Sequence, residues 1–135
     1  MKTMFLNLPV KDLAVSTRFY EAIGCQKNEQ FSNEDASSMV WSDTITFHLL
    51  SHTAYSKFTS KPIADAHAVS SMLIAISQDS REAVDAIVKA AASTGGHGDV
   101  TSPQDLGFMY LRTFADPDGH VFEPVWMNPN ATMPG

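Results

Sequence analysis

Cysteine is almost absent. Cys25 is the only one in 135 residues, so no intramolecular disulfide and no thiolate metal cluster can form. Beside Gly24 it reads as a small core thiol. Positive charge is also scarce: nine Lys and Arg stand against fifteen Asp and Glu, a formal net charge of -6. That field repels a phosphate backbone, so no nucleic acid partner is expected, whereas a neutral or cationic small molecule is compatible with it. No apolar run approaches the roughly 20 residues of a membrane span, and no membrane partner is expected. The apolar start, Met1 to Leu6, is interrupted by Asn7, Pro9, Lys11 and Asp12 without a small-residue cleavage site, so it does not read as a signal peptide. A cytoplasmic location is the expectation. Missing as well are a Gly-rich phosphate loop, a Ser/His/Asp order and a Cys/His nucleophile pattern.

What remains is an ordinary globular composition, 44% hydrophobic and 18% charged, in a chain of single-domain size. Residues 3–10 read as a strand. Asp12 stands at a helix N-cap, Leu13, Phe19, Tyr20 and Ile23 form a helical stripe, and Gly24 stops it. Three short strands are predicted at 26–31, 37–42 and 45–51, the last two joined by the Ser42-Asp43-Thr44 turn. Residues 52–69 read as a connector. The order then restarts: a strand at 71–77, Asp79 or Ser80 as the cap of a helix running to about Ser93, and Gly95-Gly96 as its end. Within that helix Ala83, Val84, Ile87, Val88 and Ala91 make an apolar stripe. Strands at 97–101 and 107–115, the Asp116-Pro117-Asp118-Gly119 turn and a strand at 120–127 complete the second half. A loose tail is expected over 129–135.

Asp12 and Asp79 lie 67 residues apart, near half the chain length, with the same order of elements after each. The chain therefore reads as an α+β domain of two tandem βαβββ modules, about 1–66 and 67–128. Two such sheets are expected to pair into a half-open curved surface, with a helix on one face of each and a shared ligand cleft on the other.

Two motifs carry a resemblance. Val10, Asp12, Leu13, Ser16, Phe19 and Tyr20 spell V-x-D-L-x-x-S-x-x-F-Y, and residues 116–123 spell D-P-D-G-x-x-x-E. With the layout above they resemble the vicinal oxygen chelate superfamily of glyoxalases, bleomycin-resistance proteins, extradiol dioxygenases and fosfomycin-resistance enzymes. The resemblance runs to about residue 128 and is nearest to the short bacterial glyoxalase-like proteins. It implies paired βαβββ units and a homodimer, but not by itself an activity. Its enzymes hold one divalent metal, typically through a His on the first strand of each module and a Glu late in each.

Carried onto this chain, the first-strand positions fall on Phe5 and on Leu73, or Met72 with the register moved by one. Neither side chain ligates a metal. The late positions fall on His48 and Glu123, a candidate metal pair to which Asn7, two residues after Phe5 on the same strand face, adds a weak oxygen. A catalytic zinc site generally uses three protein ligands and a water. The competing reading of His48 is a hydrogen-bonded sheet histidine. Glu123 lies in an apolar strand with Val121, Phe122, Val125 and Trp126, where a buried carboxylate needs a partner: a metal, His48, Arg112 or a ligand. Pro124, next to it, removes a ladder donor. Tyr110 and Arg112 share a face of the 107–115 strand and stand either on the cleft side or as a core Tyr and a surface Arg. The other histidines, His52, His67, His97 and His120, read as solvated or structural.

Phe5, Asn7, His48, Leu73 and Glu123 are thus expected on the concave side of their strands, with Tyr110 and Arg112 as further ligand-cleft candidates. Two functions follow. The first is a small-molecule-binding protein of the bleomycin-resistance type, with no cofactor. The second is a lyase or isomerase of the glyoxalase type using Zn, Ni, Mn or Fe, with Glu123 as the catalytic carboxylate.

Overall fold

The computed structural model describes residues 1–131; of the tail expected over 129–135, residues 132–135 lie outside the described residues. The chain divides into two units, Met1–Ser71 and Met72 onward. Both are of the α+β kind read from the sequence.

In unit one, β1 (Met4–Val10) runs parallel to β4 (Ile45–Ser51), followed across the sheet by β3 (Ala36–Val40) and β2 (Gln26–Lys27), giving the order β1-β4-β3-β2. Helix α1 (Leu13–Ala22) covers one face. Its start is fixed by Asp12, whose carboxylate accepts from the Val15 amide at 3.1 Å. Gly24, at φ +116°, takes the left-handed turn that ends it. The two-residue period of the strands decides the rest. Leu8 and Val10 of β1, Met39 of β3 and Phe47 and Leu49 of β4 are buried with Phe19 and Tyr20 of α1. The rings of Phe19 and Tyr20 meet edge to face, 5.3 Å between centroids, and Tyr20 lies 5.7 Å from Phe47. Cys25 joins this core, and burial pushes its thiol up to about 12, which leaves it protonated and inert. The strand expected at 26–31 is shorter: Asn28 accepts from the Gln30 amide and turns the chain into a single 3₁₀ turn, Glu29–Phe31. The connector begins with a one-turn helix, α2 (His52–Tyr55), capped by Ser51.

In unit two, β5 (Leu73–Ser77) lies parallel to β10 (Val121–Met127). Helix α3 (Arg81–Ser93) follows β5, and Ser80 rather than Asp79 caps it, accepting from the Ala83 amide at 3.0 Å. Val84, Ile87, Val88 and Ala91 are its buried stripe. Short strands β6 (His97–Gly98), β7 (Gln104–Asp105), β8 (Met109–Leu111) and β9 (Phe114–Ala115) complete the sheet, with β10 at its centre. The single strand expected at 107–115 is broken between β8 and β9. Continuing the register of its neighbours puts Pro124 opposite Arg112. The Arg112 amide donates to the Pro124 carbonyl at 3.2 Å, but proline has no N–H to return, so the ladder lapses at that pair. On either side of the break, Phe114 and Phe122 stack at 5.0 Å in the core. The Asp116–Gly119 turn is closed from inside. Asp116 is fully buried, and its Oδ1 accepts from the amides of Asp118 (2.9 Å) and His120 (2.8 Å).

Candidate functional site

Each sheet has one face against its helix and one face free of it, and strand parity assigns the candidate residues. In unit one the parallel register pairs Asn7 with His48, and the antiparallel register pairs Ser38 with His48. Leu6, Leu8, Phe47 and Leu49 alternate toward α1, so Phe5, Asn7, His48 and Ser38 share the opposite face. The result is a polar row, Asn7, His48, Ser38, crossing three strands. Phe5 stands beside it on the edge strand with 67% of its surface exposed. His48 is half-buried, and its Nδ1 lies 3.1 Å from Oδ1 of Asn7. With the amide oxygen accepting, Nδ1 carries the ring proton and Nε2 keeps its lone pair. Burial lowers the His48 pKa, so the neutral ring is favoured.

Ser38 was not among the sequence candidates. The signal for it lies in the hairpin: a turn centred on Asp43 pairs residues equidistant from that centre, which puts Ser38 opposite His48. Ser38 is buried, and its amide donates to Ser32 Oγ at 3.0 Å, which anchors β3 at this point.

In unit two the same parity puts Ile74, Ile76, Phe122 and Pro124 toward α3 and Leu73, Ala75, Val121 and Glu123 on the helix-free face. Leu73 is 59% exposed there. Glu123 is half-buried and makes no hydrogen bond or ion pair among the described residues. A carboxylate in this partly solvated setting avoids the desolvation cost that would oblige it to find a partner.

Of the two sides open to Tyr110 and Arg112, the structure puts both on the α3 side of the sheet rather than on its helix-free face. Tyr110 pairs with Trp126, whose parity is that of Pro124, on the α3 side. Its hydroxyl donates to Asp85 of α3 at 2.7 Å. The Arg112 guanidinium donates to the same carboxylate at 2.9 Å and holds Asp99 through two bonds, 3.0 and 2.7 Å. Hydrogen bonding from Tyr110, then from Arg112, holds the Asp85 carboxyl below its usual range, and Arg112 does the same for Asp99. Alongside, Arg81 grips Asp105 in a two-bond fork (2.7 and 2.9 Å) and stacks over Tyr110 and Trp126, 5.2 and 5.0 Å from the ring centres. The Arg81 bonds and the Gly107 amide bring Asp105 down to about 2. These polar atoms are spent on tying α3 to its sheet and loops. Tyr110 and Arg112 sit on that side because α3 presents Asp85 to them, a contact that strand alternation alone does not reveal.

The metal implied by the resemblance is tested by the donor set. Phe5 and Leu73, onto which the resemblance carries the first-strand positions, offer no donor atom. One nitrogen of His48 is engaged by Asn7. Among the described residues, no three His, Cys, Asp or Glu side chains stand together as a metal site. The residues present do not fit the four-ligand pattern.

Comparison with known proteins places this geometry. Residues 4–123 match the family model described as Glyoxalase/Bleomycin resistance protein/Dioxygenase superfamily. No curated protein matches the chain in sequence. Among solved structures, a hypothetical protein from S. aureus is similar at a TM-score of 0.78 and 24% identity, covering 93% of this chain and 94% of the other. A glyoxalase/bleomycin resistance protein/dioxygenase family enzyme from Burkholderia phytofirmans gives 0.75 and 20%, with 94% and 99% covered. A bleomycin resistance determinant encoded on the transposon Tn5 gives 0.64 and 17%, with 94% and 98% covered. At these identities the structures support the fold, and the two sequence motifs are explained by it: one is a helix cap with core residues, the other a turn. The chain belongs to the glyoxalase/bleomycin resistance protein/dioxygenase superfamily.

Proposed function

We propose that this protein binds a small molecule on its helix-free sheet faces without a tightly held metal, in the manner of a binding module rather than a glyoxalase-type lyase. The observation that carries the reading is the pair of exposed apolar side chains, Phe5 and Leu73, at the two positions where the family's enzymes place histidine ligands. Missing ligands weaken affinity and also remove the fixed geometry on which a polarising metal depends. In their place unit one offers the Phe5 ring on the same face as the neutral His48, and unit two offers Leu73 on the same face as the Glu123 carboxylate. Either face by itself suits an apolar body with a few polar groups.

A cytoplasmic homodimer is part of the proposal. Each unit has an edge strand carrying exposed apolar residues, Met4 and Phe5 on β1 and Leu73 on β5, and a second copy would cover such edges. The catalytic alternative is tested by turnover of the methylglyoxal–glutathione adduct with nickel- or zinc-reconstituted protein. The expected result is negligible turnover. Robust turnover abolished by Glu123→Gln would establish the enzyme instead.

A further inference from the structure

The Asn7–His48 pair is built more specifically than a binding face in general requires. An isolated neutral imidazole prefers its proton on Nε2. Here the amide oxygen of Asn7, 3.1 Å from Nδ1, draws the proton to the other nitrogen. Asn7 is set by the parallel register of β1 on β4, so the contact is part of the sheet and not a chance rotamer. Nε2 has no partner among the described residues. The Phe5 ring stands on the same face two residues before Asn7, exposed and without a ring partner among the described residues.

We infer that His48 Nε2 is a hydrogen-bond acceptor for a neutral ligand hydroxyl, that Asn7 is the positioning residue that keeps it one, and that Phe5 supplies the apolar platform for the ligand's body. The ligand class is therefore a small hydroxylated aromatic or similar apolar molecule with one O–H. An anionic group is disfavoured, because the half-buried ring offers a lone pair and the row Asn7, His48, Ser38 holds no cation. Burial keeps the ring neutral, which agrees with an acceptor role. The inference rests on the binding-module reading and adds the ligand chemistry of unit one.

The test is nitrogen NMR of the full chain with ¹⁵N-labelled histidine, using phenol and toluene as probes. They differ in one substituent, a hydroxyl in phenol and a methyl in toluene. The expected spectrum has His48 protonated on Nδ1 and bare at Nε2. Phenol shifts Nε2 while toluene does not, although both perturb the Phe5 ring, followed in the same chain by ¹³C-labelled phenylalanine. Asn7→Ala moves the proton to Nε2 and weakens phenol about tenfold, the scale of one hydrogen bond. Asn7→Asp, which still presents an acceptor, retains the Nδ1–H form. A wild-type His48 protonated on Nε2, or equal shifts from phenol and toluene, would overturn the inference and leave the binding-module reading standing. Silence of both Phe5 and His48 toward both probes overturns the two together.

Discussion

Unit one carries a hydrogen-bonded polar pair, Asn7 and His48, on the face away from α1, whereas unit two carries a charged network on the side of α3. The network of unit two is paired within itself. Arg112 divides its donors between Asp85 and Asp99, Tyr110 donates to Asp85, and Arg81 is held by Asp105. On the helix-free faces the inventory is smaller: a histidine with one nitrogen engaged in unit one, and Glu123 without a partner among the described residues in unit two. Two modules with the same order of elements thus differ in how they bond to their helices: unit one has a hydroxyl pair there, Thr17 with Ser37 at 2.7 Å, where unit two has the charged network. A shared architecture fixes which residues are core. It leaves each module free to use its polar residues for holding itself together or for meeting a ligand.

If the difference lies only in the polar residues, the apolar faces of the two units should respond alike. Phe47→Ala in unit one and Phe122→Ala in unit two each remove a fully buried ring and should each cost about 3–5 kcal/mol in urea unfolding. A much smaller loss in one unit would show that its helix is not packed on a comparable core. The polar substitutions should then separate. Arg112→Ala strips three charge-assisted hydrogen bonds from unit two and should cost about 1 kcal/mol, a modest value because its partners are half-exposed. His48→Ala should stay within about 0.5 kcal/mol, as a side chain not needed for the fold. Equal losses for the two variants would erase the distinction drawn between them.

The fold was readable because its signals are local. Asp12 caps a helix, Phe19 and Tyr20 repeat at helical spacing, and Asp116 to Gly119 can only turn; all three do in the structure what their chemistry dictates. The helix-free placement of Phe5, Asn7, His48, Leu73 and Glu123 was readable too, since strand alternation needs only one correct register residue. Sequence alone leaves the side of Tyr110 and Arg112 open, because it is set by Asp85, a partner on another element 25 and 27 residues away. The broken strand at Arg112 and Thr113 is a similar case. Pro124 was visible as an oddity, but its consequence falls on whichever strand pairs with it, and only the register names that strand.

Acid separates the units by pH window rather than by size. The lowered pKa of His48 means that the unfolded chain binds its proton first. Its contribution to stability is therefore complete above about 6.5 and is lost as pH falls from there toward the lower folded value. Asp85, Asp99 and Asp105 are lowered as well, but from about 3.8, so the contribution of unit two persists through mild acid and fades as pH falls below that value, for Asp105 toward about 2. Urea midpoints followed from pH 8 downward should show a small loss below 6.5 that His48→Gln removes, and a separate one below 4 that Arg112→Ala reduces. A single loss insensitive to both variants would contradict the assignment.

The central claim, binding without a tightly held metal, is tested most directly by metal content. The full chain is equilibrated with nickel or zinc, passed through a desalting column and analysed beside its Glu123→Gln variant. With Phe5 and Leu73 at the first-strand positions, both proteins should retain well under one equivalent, and to the same extent. One equivalent retained by the wild type and lost in Glu123→Gln would contradict the account and return the chain to the metal-dependent branch of its superfamily.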